Sequence, residues 1–217
     1  MNNKTITVKG IGNVSAKPDM IAISITQETS AREYDKTMKK AAAALDGIRN
    51  AIAGTGQDPA KLKTSSFNVN SQYESKRDAN GNYKNHFKGY KCAHRLNFEF
   101  DYDMKELGKI LSALAVCEAK PEFSIRFSVK DQDAMKERML ENAVANAMNR
   151  AAILTKAAGV KLGEILSINY SWGEIEVYSR TSYENQCFAM AAESIDMDME
   201  PEDVEANDTV TVVWAIN

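Results

Sequence analysis

Hydrophobic positions along the chain change their period several times, and each change marks a new element. Ile6 and Val8 alternate with polar neighbours, as do Ile21, Ile23 and Ile25, with Lys17-Pro18-Asp19 between the two runs. A period of two puts successive apolar side chains on one face of a strand, so the pattern predicts an opening antiparallel hairpin. From Arg32 the spacing lengthens to three and four residues through Tyr34, Met38, Ala41, Leu45, Ile48 and Ile52, the stripe of a helix whose wet side carries Lys36, Lys39, Lys40 and Arg49. Gly54 and Gly56 are expected to end it, because glycine enters the left-handed region without a steric penalty.

Alternation returns in Phe67, Val69 and Tyr73, a turn is expected at Asn80-Gly81, and a return strand runs from Tyr90 to Phe100. In that strand Tyr90, Cys92, His94, Leu96, Phe98 and Phe100 share one face while Lys91, Arg95, Asn97, Glu99 and Asp101 take the other, the signature of a sheet buried on one side. Asp103 can cap a short helix carrying Leu107, Ile110, Leu111 and Leu114; Pro121 breaks the chain before Phe123, Ile125, Phe127 and Val129 alternate. Asp131 or Asp133 opens the longest helix, with Met135, Met139, Ala143, Ala147 and Leu154 facing inward and Gly159 as its stop. Its many alanines permit close approach to a sheet or another helix. Leu166, Ile168, Tyr170 and Trp172 define one more strand face, and Val210, Val212, Trp214 and Ile216 the last.

This order predicts an α+β fold of mixed, largely antiparallel sheets with helices packed on one side. Two hairpin-and-helix sets suggest an internal pseudo-repeat. Residues 1–217 are read as a single domain with an acidic loop insertion around 174–206.

Composition narrows the function classes. The chain has 217 residues, 44% of them hydrophobic, enough for a core of its own. Its 27 basic and 30 acidic residues leave a net charge of -3, which offers no overall field for nucleic acid or anionic membrane. No run of 18 apolar residues marks a transmembrane segment, and no secretory signal opens the chain. Read as it stands the protein is expected in the cytoplasm; an export signal trimmed before Met1 would place it in the periplasm or outside the cell. Cys92, Cys117 and Cys187 are too few and too irregularly spaced for a disulfide framework or a thiolate zinc site. Charge is uneven: between Glu174 and Asp208 eleven acidic residues face a single base, Arg180, a net -10 that leaves +7 on the rest. Such a run reads first as a solvated loop, and second as an acidic surface complementary to a basic face of its own or a neighbouring subunit.

The candidate chemical motifs are each outweighed by a structural reading. Gly10-Ile11-Gly12 begins like a dinucleotide fingerprint but leads into a strand instead of a helix, so the glycines are expected to permit a bulge or a close backbone crossing. Asp196, Asp198, Glu200 and Glu202 space carboxylates like a calcium loop but lack its central glycine, and Pro201 interrupts them. Met197 and Met199 are expected to pack that loop onto the body. Lys136, Arg138, Arg150 and Lys156 make a basic stripe on the long helix, broken by Glu137 and Glu141 and without stacking aromatics, and read as a solvated face. Cys92 and His94 share a strand face two residues apart, too far for an activated thiolate without unusual rotamers. They are kept as a remote thiol-enzyme alternative; no catalytic, cofactor or metal residues are assigned, and no cofactor is expected.

Several segments, taken in order, are similar to the SIMPL domain family, a bacterial domain of unknown function that includes the periplasmic immunogenic proteins. They are Gly10-Ile-Gly-Asn-Val-Ser-Ala-Lys-Pro-Asp-Met-Ile-Ala-Ile-Ser, Lys63-Thr-Ser-Ser-Phe-Asn-Val, Gly89-Tyr-Lys-Cys-Ala-His-Arg-Leu, Asp103-Met-Lys-Glu-Leu-Gly-Lys-Ile-Leu, Ala143 to Ala147, Arg150 to Gly163 and Val210-Thr-Val-Val-Trp. The resemblance implies an α+β fold and, for some members, a ring-like homo-oligomer of the cell envelope linked to stress tolerance. It implies no catalytic residues. A eukaryotic namesake that signals through a kinase partner implies that the fold can serve as an interaction module. The acidic stretch from Glu184 to Glu205 departs from the family signature. The resulting expectation is a non-enzymatic, self-assembling protein, envelope- or stress-associated, with a protein- or peptide-binding module using an exposed sheet edge as the alternative.

Overall fold

The computed structural model describes residues 4–77, 82–170, 177–185 and 200–217. Eight strands and three α-helices follow in the order β1 (Thr5–Ala16), β2 (Met20–Ala31), α1 (Tyr34–Gly54), β3 (Lys63–Arg77), β4 (Tyr83–Asp101), α2 (Met104–Ala115), β5 (Glu122–Ser128), α3 (Gln132–Ala158), β6 (Leu162–Tyr170), β7 (Tyr178–Asn185) and β8 (Val204–Ile216). The mixed α+β architecture and the antiparallel pairing follow the expectation. The Asn80-Gly81 turn, Trp172, Cys187, Asp196, Met197, Asp198 and Met199 lie outside the described residues.

The chain divides into two compact units. One comprises Met1–Asp19, Phe127–Arg180 and Pro201–Asn217, the other Met20–Arg126 and Thr181–Glu200. The opening hairpin is therefore corrected: β1 pairs in register with β8, from Thr5 opposite Ala215 to Ala16 opposite Val204, while β2 pairs with β4. Pro18 and Asp19 sit between strands that belong to different pairings, so local alternation identified both strands but not their partners. The suggested halves do not appear as sequence halves either, because the first unit is assembled from both chain ends.

In the second unit the strand order is β5-β2-β4-β3. The side chains of Ile21, Ile23 and Ile25 from β2 and Leu96, Phe98 and Phe100 from β4 are buried, and α1 buries Thr37, Ala41, Ile48 and Ile52. The helix packs against β2, β4 and α2. Its termination separates two glycine roles: α1 ends with Gly54, Thr55 is still right-handed, and Gly56 makes the left-handed turn at φ +93°. Asp103 caps α2 as expected, its Oδ1 accepting from the backbone N–H groups of Lys105 and Glu106 at 2.9 and 3.1 Å.

In the first unit β8 lies between β1 and β6, and α3 packs on β1 and β8. Val8, Val210, Val212 and Trp214 meet a stripe of Ala143, Ala147 and Ala151 on the helix. The expected close crossing is found here. A β-carbon on Gly12 would lie 1.9 Å from the Met139 carbonyl oxygen, and one on Gly10 2.0 Å from that of Ala143. Glycine on the strand and alanine on the helix thus let two backbones nearly touch. Asp131 caps α3 and Gly159 ends it at φ +71°. Leu154, expected inward, is half exposed, because the buried stripe continues through Ala151 to Thr155. A register shift between Ile165 and Ser167 takes Leu166 out of alternation, and β6 leaves Ile165, Leu166, Ile168 and Tyr170 exposed.

Candidate functional site

Cys92 and His94 face the same way on β4, yet the structure does not join them. Cys92 is fully buried. Burial pushes its thiol above the ordinary range. A nucleophilic cysteine needs the opposite shift. The Nε2 of His94 lies 2.9 Å from Thr64 Oγ1, and its ring meets Phe67 edge-to-face at 4.9 Å. Burial, reinforced by the Arg49 charge, holds the imidazole below its usual pKa and therefore neutral. Gln27, directly across the strand pair from His94, is buried too; its amide donates to Glu28 O at 3.2 Å while its Oε1 finds no partner. The strand pair thus holds a packed polar layer, in which Cys92 is buried and His94 is engaged by Thr64 and Phe67.

The basic stripe on α3 also dissolves into separate contacts. Lys136 approaches Asp133 at 3.9 Å, and Arg150 Nη1 donates to the backbone oxygen of Lys9 at 3.0 Å. Of the carboxylate series, Glu200 and Glu202 fall among the described residues; the Glu202 carbonyl accepts from Ser179 Oγ at 2.7 Å. Close by, Glu205 pairs with Arg180 at 3.2 Å. Among the described residues no three His, Cys, Asp or Glu side chains converge as metal ligands.

What stands out instead is an aromatic face on the β3–β4 ribbon. β3 is the last strand of its sheet, and α1 does not cover its far half, so the shared parity of Phe67 and Tyr73 leads outward to solvent instead of into the core. A bulge at Gly89, where Gln72 faces Gly89 but Tyr73 faces Phe87, keeps the aromatic residues on one side. The φ of +148° and an Ala31 carbonyl only 2.3 Å from where a β-carbon would sit both require glycine there. Tyr73 meets Phe87 at 5.7 Å, Phe87 meets Tyr90 at 5.3 Å, and Tyr90 meets Tyr34 at 5.5 Å, all near edge-to-face. Tyr73 is 62% exposed and Phe87 45%. Sequence reading missed this face because alternation reports which residues share a side, not whether anything covers it. The available signal was the outer strand itself: no apolar helix stripe remained to cover it.

The arrangement offers contact surface, and the chain has recognisable relatives. Over 164 residues the chain is 25% identical to a "26 kDa periplasmic immunogenic protein" of Brucella melitensis biotype 1, a span of 76% of this chain and 65% of that protein. The protein of the same name from Brucella abortus is 24% identical over 164 residues, again 76% and 65%. An "Uncharacterized protein YggE" of Edwardsiella ictaluri is 20% identical over 165 residues, 76% of this chain and 67% of that protein. The aligned span is thus less than two thirds of the Brucella proteins' length. The family described as SIMPL, protein of unknown function (DUF541), matches residues 6–214, through both compact units and from β1 to β8, so the chain belongs to the SIMPL family.

Proposed function

We propose that this protein is a non-enzymatic, self-assembling component of the cell envelope. The observation that carries the reading is the edge-to-face aromatic series of Tyr73, Phe87 and half-buried Tyr90 on the outer ribbon with Tyr34 of α1, in which Tyr34, Phe87 and Tyr73 are exposed. A contiguous exposed apolar surface of this kind marks an interaction site, and aromatic residues supply most of the energy at protein interfaces. The periplasmic name of the Brucella relatives supports the envelope placement, and no helix among the described residues is long and apolar enough to cross a membrane. The uneven charge supports contacts between copies that weaken with salt.

Light scattering across concentration and salt tests the reading. The expected mass is a stable multiple of 24.0 kDa that Tyr73→Ser with Phe87→Ser reduces while the folded content stays unchanged. A monomer at every concentration overturns it. A second reading, an interaction module that takes a peptide on a sheet edge, is favoured by the outer edge of β1, where no further strand pairs among the described residues.

A further inference from the structure

The edge of β1 is half closed and half open. In an antiparallel pair, alternate residues turn both backbone groups away from the partner strand, and on β1 these are the odd positions from Thr5 to Asn13. The flank of α3 reaches three of them. Asn142 Nδ2 donates to Asn13 O at 3.1 Å, Asn146 Oδ1 accepts from Ile11 N at 3.1 Å, and Arg150 Nη1 donates to Lys9 O at 3.0 Å. The spacing works because four helical residues rise about 6 Å and two strand residues about 6.7 Å. The next rung is Leu154, which has no polar atom to offer, so the ladder stops. Thr7 is left with its N–H and C=O pointing off the sheet.

At that place lies an open groove of about 440 Å³, lined by Thr7, Val8, Lys9, Arg150, Ile153 and Leu154. Ile153 and Leu154 are 60% and 50% exposed. Among the described residues neither Lys9 nor Arg150 has a carboxylate partner. An edge strand beside a helix flank is the arrangement by which extended peptides are captured through strand addition. An acyl chain would fit the apolar wall but bury the Thr7 groups unpaired, which is costly; a peptide backbone satisfies them.

We propose that the groove between the Thr5–Lys9 edge and the C-terminal flank of α3 is a peptide-docking site, an inference that rests on the second reading above. Its occupant is an extended segment that pairs with Thr7, places an apolar side chain against Ile153 and Leu154, and presents a carboxylate to Lys9 and Arg150. The capped half of the edge, from Lys9 to Asn13, sets the register at which pairing stops.

Panning a random nonapeptide library against the full chain, followed by amide exchange with the enriched peptides, tests this. Enriched sequences are expected to combine β-branched or apolar residues with a neighbouring Asp or Glu. The bound peptide should slow exchange of the Thr7 amide, and Ile153→Asp or Lys9→Glu, both at exposed side chains, should weaken binding about tenfold or more with an unchanged urea midpoint. Peptides that bind without protecting Thr7 and without sensitivity to either variant overturn the groove but leave an interaction module standing. No enrichment overturns both. Concentration-dependent protection of Thr7 without peptide makes a second copy the occupant and overturns the peptide assignment.

Discussion

Adding one methyl group at Gly12 should do about as much damage as truncating a large core side chain. The new β-carbon would sit 1.9 Å from the Met139 carbonyl oxygen, 2.8 Å from Ala143 N and 3.0 Å from Ala143 Cβ, where ordinary contact begins near 3.4 Å. The obstacle is helix backbone, which cannot rotate aside, so α3 and β1 must separate by about 1.5 Å at that point. Separation has two costs. It opens a gap across the cluster of Val8, Ala143, Ala147, Ala151 and Trp214, and a gap of 0.5–1 Å forfeits about a quarter to a half of each dispersion well. It also stretches the three bonds from Asn142, Asn146 and Arg150 past hydrogen-bonding distance, each worth about 1 kcal/mol net. With overpacking itself at about 1–3 kcal/mol, Gly12→Ala should destabilise the unit by roughly 4 kcal/mol. Urea unfolding followed by fluorescence of the buried Trp214 measures it; at about 2 kcal/mol per molar urea the midpoint should fall by about 2 M. Gly54→Ala is the control, since nothing lies within 4 Å of its new methyl group and alanine is the better helix former. A fall below about 0.5 M for Gly12→Ala, or equal effects at the two glycines, would refute the backbone-contact argument.

Other outcomes follow from the polar layer and the thiols. Because burial and Arg49 lower the His94 pKa in the folded state, the unfolded state binds the extra proton, and stability should decline as pH falls below 6.5 toward the folded value; a His94→Gln variant should flatten that decline in urea titrations from pH 7 to 5. Gln27→Met removes a buried carbonyl oxygen without a partner and should stabilise the protein by about 1 kcal/mol, so a lower melting temperature would contradict the reading. Iodoacetamide with peptide mapping should label the half-buried Cys117 in the native protein and reach buried Cys92 only after unfolding. Equal rates at the two would restore Cys92 as a reactive thiol.

Much of the fold was legible because it is written locally. Period two marked β1, β2 and β4; period three to four marked α1 and α2; Asp103, Asp131 and Gly159 marked helix ends at which a side chain or a left-handed residue must meet orphan backbone groups. The polar layer was half legible: His94 on the apolar face of its strand was readable as a hydrogen-bonded core histidine, whereas its partner Thr64, thirty positions away, was not. The edge ladder was illegible, since Asn142 and Asn146 look like ordinary surface residues of a helix until β1 is laid beside them.

By itself, then, the sequence determined most of the strands and helices and which side of each is apolar, though it read β7 (Tyr178–Asn185) as part of an acidic loop and left Gly10 and Gly12 open between a bulge and a close backbone crossing. Tertiary structure alone decided that β1 pairs with the last strand instead of its neighbour, that the aromatic side of β3 faces water, and that one edge of β1 is half closed. The reason is physical: periodicity and caps depend on residues a few positions apart, whereas pairing, covering and edge satisfaction depend on which distant backbone arrives alongside.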